Sequence, residues 1–212
     1  MPVVKVSNCK LYHIRRENVG CATWVPGTKV DTHQWHWNRF FSFYSEKAWQ
    51  PLIDRWGDRV RGNEEQHVPA GFAKAMHGLL KEQAILVREL VFEEVRLRDF
   101  PNLPSRRSCT FLCREEYLER WWNTMNGPDA RIAQVIATGD AHFGDEQYLR
   151  ADCIPYDEHC RQAAEYWQGT YGKCAKREEV LFQGEFEVVQ IWPSLVCYKG
   201  SENSGAHKST GG

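Results

Sequence analysis

The residues best able to do chemistry fall in four short segments. Glu178-Glu179 stands directly before an apolar run, Val180-Leu181-Phe182. A carboxylate held at the start of a strand can stabilise a developing positive charge or serve as a general base. Ser105-Arg106-Arg107 brings together two guanidinium groups, whose planar fork suits phosphate oxygens. His13, inside Leu11-Tyr12-His13-Ile14, can hydrogen-bond a hydroxyl while neutral. Phe111 and the Trp121-Trp122 pair offer flat faces for stacking. Each residue also has a plainer reading. Glu179 can be a solvated edge charge and His13 a core histidine. Arg106 and Arg107 can pair with Glu93 or Glu94.

Other chemistries find less support. Thr32-His33-Gln34-Trp35-His36 has two histidines three apart, but no further ligands at metal-site spacing accompany them, so no metal is expected. Cys109 and Cys113 lie i,i+4 in an apolar run, which places them on one face of a strand as packing groups. No glycine-rich phosphate loop is present, and no nucleic-acid module pattern.

The elements that must carry these residues follow from periodicity and turn signals. Residues 10–16 read as a strand, with Leu11 and His13 on one face and Tyr12 and Ile14 on the other. Residues 31–62 mix aromatics with charge and predict short helices and irregular chain. Apolar residues at spacings of three and four, from Phe72 to Val95, predict a helix over 70–98 with Glu and Arg on a solvated face. Pro101 and Pro104 end it. Beyond them the pattern predicts a strand from Ser105 to Cys113 and a helix over 115–122. A strand over 131–139 and a helix over 157–167 come next. Val180 to Phe182 begins a further strand, Gln183-Gly184 turns, and residues 186–192 form the last strand. The Ser/Gly/Lys-rich stretch 201–212 reads as a disordered tail. The sum is one α+β domain.

With 212 residues the chain can bury a core without staples, so its 8 cysteines read as reduced thiols. A formal net charge of −1 argues against a nucleic-acid partner held by whole-chain charge. No signal core and no membrane-length apolar run is present, which points to a cytoplasmic protein with no membrane partner.

In this order the four segments resemble the ADP-ribosyltransferase superfamily, in its histidine-aromatic-glutamate branch. An early Leu-x-His strand is matched by Leu11-Tyr12-His13. The middle strand with its following helix is matched by Arg107 to Cys113 and residues 115–122. A strand ending in glycine is matched by Ile132 to Gly139, and a glutamate before an apolar strand by Glu179. Glu179-Val180-Leu181-Phe182-Gln183-Gly184 is similar to the Glu-Val-Leu-x-Pro-Gly segment of the toxin-like branch. The chain also resembles a small bacterial family marked by Pro-Ser-Arg, Tyr-Trp-x-Gly and Glu-x-Leu, as in Pro104-Ser105-Arg106, Tyr166-Trp167-Gln168-Gly169 and Glu179-Val180-Leu181.

The resemblance implies a split β-sandwich over residues 1–200 with an inserted helical segment at about 45–100. It implies NAD⁺ as substrate and Glu179 as the catalytic carboxylate. His13, Ser105, Arg106, Thr110, Phe111 and Trp121 would bind NAD⁺, with Arg106 and Arg107 at the pyrophosphate. The implied activity is mono-ADP-ribosyl transfer to a protein or nucleic acid, as a bacterial toxin or phage-defence effector, with an antitoxin protein as partner. Two departures matter. Arg177 stands where arginine-modifying members carry Glu or Gln, which argues against arginine as acceptor. Thr110 stands where the branch carries tyrosine, which keeps a catalytically inactive binding module open beside an NAD⁺ glycohydrolase.

Overall fold

The computed structural model describes residues 3–16, 24–34, 70–150, 154–169 and 177–205. In chain order the strands are β1 (Val4–Arg16), β2 (Lys29–Asp31), β3 (Thr110–Leu112), β4 (Ala130–Asp145) and β5 (Glu178–Trp192). The helices are α1 (Ala70–Asp99), α2 (Glu115–Met125), α3 (Tyr156–Trp167) and α4 (Leu195–Gly205). The order is mixed and the strand pairings are antiparallel, so the class is α+β.

Alternation along β4 and β5 decides the architecture. Val135, Ala137 and Ala141 face the same interior as Val180, Phe182, Phe186 and Val188, and all are buried. β4 pairs β1 on one side and β5 on the other. The far edge of β5 takes β3 at Val180–Phe182 and β2 at Glu185–Glu187. β3 then returns to β1, because Tyr12 and Cys113 exchange backbone hydrogen bonds of 2.9 and 2.8 Å. The sheet thereby curls on itself around its apolar interior.

Helices cover the outside. α1 and α3 pack through Phe92, Val95, Tyr166 and Trp167, and the Trp167 indole donates to the Phe92 carbonyl at 2.8 Å. α2 and α4 cover Tyr12, Ile14, Ile132 and Trp192 with Leu118 and Tyr198.

Several expectations change. Gln183-Gly184 is no turn: β5 runs unbroken through it. Gly184 lies opposite Gly139, with φ of +148° and +159°. A Cβ on Gly139 would sit 2.4 Å from the Gln183 carbonyl oxygen, and one on Gly184 would sit 2.6 Å from that of Thr138. The glycine marks a close approach of two strands rather than a reversal. The strand expected from Ser105 to Cys113 is only Thr110–Leu112, because Ser105 to Ser108 form a turn closed on the Ser105 carbonyl. Cys109 and Cys113 consequently sit in different apolar clusters and do not share a strand face. The solvated face of α1 is also misassigned. Arg88, Glu89, Glu93 and Arg96 are buried, while Leu80, Leu90 and Leu97 are exposed. Ser201 to Gly205 belong to α4 and not to a tail. Most of the region 31–62, and the part of the inserted segment before residue 70, lie outside the described residues. No helix among the described residues is long and apolar enough to cross a membrane.

Candidate active site

β1 and β3 part immediately after the Tyr12–Cys113 bridge, and a cleft of about 310 Å³ opens there. Of the residues singled out from sequence, His13, Arg106, Phe111, Trp121 and Glu179 line it. Arg88 from α1, Met125 from α2, and Glu146 and Leu149 after β4 complete the wall.

His13 spans the split. Its Nδ1–H donates to the Phe111 carbonyl at 2.8 Å, replacing the ladder bond that the diverging strands have lost. Its ring packs 5.2 Å from that of Trp24. Burial lowers the pKa of His13, outweighing the bond to Phe111, and the nearby Arg15 charge lowers it further, so the imidazole stays neutral. Nε2 takes no partner from the described residues. Trp121 donates from Nε1 to the Glu178 carbonyl at 2.7 Å, which ties α2 to the start of β5 and fixes its ring as a wall.

The two adjacent glutamates diverge because β5 alternates. Glu178 is fully buried and held by both ends of the Arg114 guanidinium. Glu179 points to the other side, where one oxygen, Oε1, accepts from Arg106 Nη1 at 2.5 Å and from the Tyr166 hydroxyl at 2.6 Å. Its second oxygen, Oε2, takes no hydrogen bond from the described residues. Arg106 Nη1 also donates to the Tyr166 oxygen at 2.9 Å, so guanidinium, phenol and carboxylate form a closed triangle.

Arg106 is committed beyond that triangle. Nε donates to Glu89 Oε2 at 2.7 Å and Nη2 to Oε1 at 3.1 Å. Burial opposes its charge, but Glu89 and then Glu179 outweigh burial and raise its pKa well above the usual value. Burial likewise raises the pKa of Glu89, and Arg106 overcomes that and lowers it. Arg106 thus carries permanent positive charge at the cleft floor, bound to carboxylates where a phosphate had been expected. Arg107 is exposed and away from the cleft wall.

Ser105 and Thr110 fall outside the cleft. Ser105 Oγ donates to Glu93 Oε2 at 2.7 Å, and the Arg106 backbone N–H to Oε1 at 2.7 Å, anchoring the turn before β3 onto α1. Glu93, one of the two partners the plainer reading proposed for the arginines, therefore binds this turn through Ser105 and the Arg106 backbone. Thr110 lies one residue from Phe111, and period-two alternation turns it to the opposite face of β3, where it is buried.

Tyr166, Glu89 and Arg88 escaped sequence reasoning. The Tyr-Trp-x-Gly motif was the available signal, and each of its residues has a task. Tyr166 bonds Glu179, Trp167 anchors α3 to α1, and Gly169, with φ of +67°, ends α3. Glu89 and Arg88 carried no such mark, since helical charges usually face water.

Among the described residues no group of three or more His, Cys, Asp or Glu could hold a metal ion. All five cysteines described as free are single thiols, and burial pushes Cys113 up to about 12.

Fold and site together define an α+β protein whose curled antiparallel sheet splits at a histidine and opens a cleft onto a buried, charge-paired glutamate. The model of a family described as protein of unknown function (DUF2441) matches residues 11–194, and the chain belongs to that family. No curated protein matches the chain.

Proposed function

We propose that this protein is a mono-ADP-ribosyltransferase of split β-sandwich type, transferring ADP-ribose from NAD⁺ to a protein or nucleic acid with Glu179 as the catalytic carboxylate. One observation carries the reading. Glu179, His13 and the aromatic rings of Phe111 and Trp121 converge on one cleft from four separate elements. Breaking the nicotinamide–ribose bond builds positive charge on the sugar, as in glycoside hydrolysis. A carboxylate with one oxygen fixed and the other unbonded is suited to hold a ribose hydroxyl and stabilise that charge. Neutral His13 keeps Nε2 as an acceptor for a second hydroxyl. Phe111 and Trp121 supply flat apolar faces for nicotinamide. The cleft volume suits the nicotinamide–ribose half of the dinucleotide.

A second reading, a binding module without catalysis, draws on the Arg106–Glu179 ion pair. The guanidinium 2.5 Å from Oε1 offsets part of the negative charge that a cationic sugar would need.

The test is incubation of purified protein and its Glu179→Gln variant with labelled NAD⁺, with and without bacterial lysate. Nicotinamide release by the native protein alone, with label on macromolecules, supports the transferase. Release without label transfer assigns a glycohydrolase. NAD⁺ bound but recovered intact favours the binding module. Growth arrest on expression of the native form, absent with Glu179→Gln, would support the toxin or defence role and with it a neutralising partner.

A further inference from the structure

We infer that Tyr166 is a positioning residue for Glu179, and that Gly144 exists in this site to let the phenol reach it; the inference rests on the transferase reading. Tyr166 belongs to α3, on the outer side of the sheet, whereas Glu179 lies on β5 beyond β4. Gly144 on β4 is the register partner of Glu179. A Cβ there would stand 2.3 Å from Tyr166 Cε2 and 2.8 Å from its hydroxyl oxygen. Only a glycine leaves space for the ring to cross β4 and set its hydroxyl against the carboxylate. His142, two residues earlier on the same strand, clamps the other end of the tyrosine. Its Nε2–H donates to the Tyr166 carbonyl at 3.1 Å, and the two rings meet edge to face at 5.2 Å.

The proton has one consistent location. Arg106 can only donate, so the Tyr166 oxygen accepts from it and donates its own hydrogen to Glu179 Oε1. Burial and then the Glu179 charge hold the phenol protonated. Tyr166 therefore never acts as the base. It fixes Oε1 so that Oε2 alone is presented to substrate. Removing the hydroxyl leaves Oε1 held by Arg106 alone and loosens the carboxylate about its last bond, which affects the reacting centre more than substrate affinity.

The experiment compares wild type, Tyr166→Phe and Gly144→Ala in steady-state NAD⁺ cleavage, together with proton spectroscopy of the wild type and Glu179→Gln. Tyr166→Phe is expected to lower kcat by about 10- to 100-fold, the worth of one hydrogen bond to a charged group, with KM for NAD⁺ within about twofold. Gly144→Ala should reproduce that split. In wild type the Tyr166 hydroxyl should give a slowly exchanging downfield proton that disappears in Tyr166→Phe and moves upfield in Glu179→Gln. Equal kcat in wild type and a folded Tyr166→Phe overturns the inference while leaving the transferase reading intact. No cleavage by wild type overturns the reading and the positioning role together. Should Tyr166→Phe fail to fold, a hydroxyl proton unmoved by Glu179→Gln overturns the inference by itself.

Discussion

His13 donates from Nδ1 to the carbonyl oxygen of Phe111 at 2.8 Å, across the point where β1 and β3 separate. That bond fixes the tautomer and leaves Nε2 as the acceptor at the cleft. His13→Ala is expected to raise KM for NAD⁺ roughly tenfold, the loss of one hydrogen bond of about 1.4 kcal/mol. Because burial keeps the imidazole neutral, NAD⁺ affinity should lack an ordinary histidine titration between about pH 8 and about 6. Calorimetric titration across that range checks both, and an affinity that follows an ordinary histidine titration would rule the assignment out.

The buried charges of α1 make a stability prediction. Glu89 is fully buried between Arg88 and Arg106, so Glu89→Leu should cost about 3–5 kcal/mol by leaving two buried cations short of a partner. Leu97, 63% exposed, should accept Gln within about 0.5 kcal/mol. Urea denaturation of the two variants distinguishes this arrangement from a helix with its charges in water, which would reverse the ranking.

Glycines should separate by location. Gly184→Ala would force a Cβ to within 2.6 Å of the Thr138 carbonyl oxygen and cost about 2–4 kcal/mol. Gly78, inside α1 with open space around it, should gain about 0.5–1 kcal/mol on the same change. Paired melting curves would test this; equal effects would mean that β4 and β5 do not approach as described.

Stability should fall on acidification through His142. Burial, its largest influence, lowers the pKa from 6.5 to about 4, against a smaller upward effect of the bond to the Tyr166 carbonyl. The unfolded chain therefore binds the proton more readily. The stabilisation is fully present above about pH 6.5 and is lost as pH falls towards 4, about 3 kcal/mol in all. His142→Gln should flatten the stability profile over that window, measured by denaturant midpoints at successive pH values. A profile with unchanged slope would sink the assignment.

Much of the secondary structure was legible because it depends on one element at a time. Three- and four-residue spacing located α1, and period two placed Leu11 and His13 opposite Tyr12 and Ile14 on β1. The position of Glu179 before Val180-Leu181-Phe182 marked it as a residue at a strand start. Errors arose where a residue's meaning depended on a second element. Gly184 looks like a turn until Gly139 lies across from it. Thr110 and Phe111 are equal candidates until the curl of the sheet decides which face of β3 borders the cleft.

The sequence by itself determined the strand and helix periods, the α+β class and the set of ionisable groups from which a site could be made. Tertiary structure alone decided that Glu89 and Arg106 neutralise each other inside the protein, and that Tyr166 crosses Gly144 to reach Glu179. The reason is physical. Periodicity reports the faces of a single element, whereas burial of a charge becomes tolerable only when an opposite charge arrives from another part of the chain. Those partners are separated by 17 residues for Arg106–Glu89 and 73 for Arg106–Glu179, distances over which no local pattern carries information.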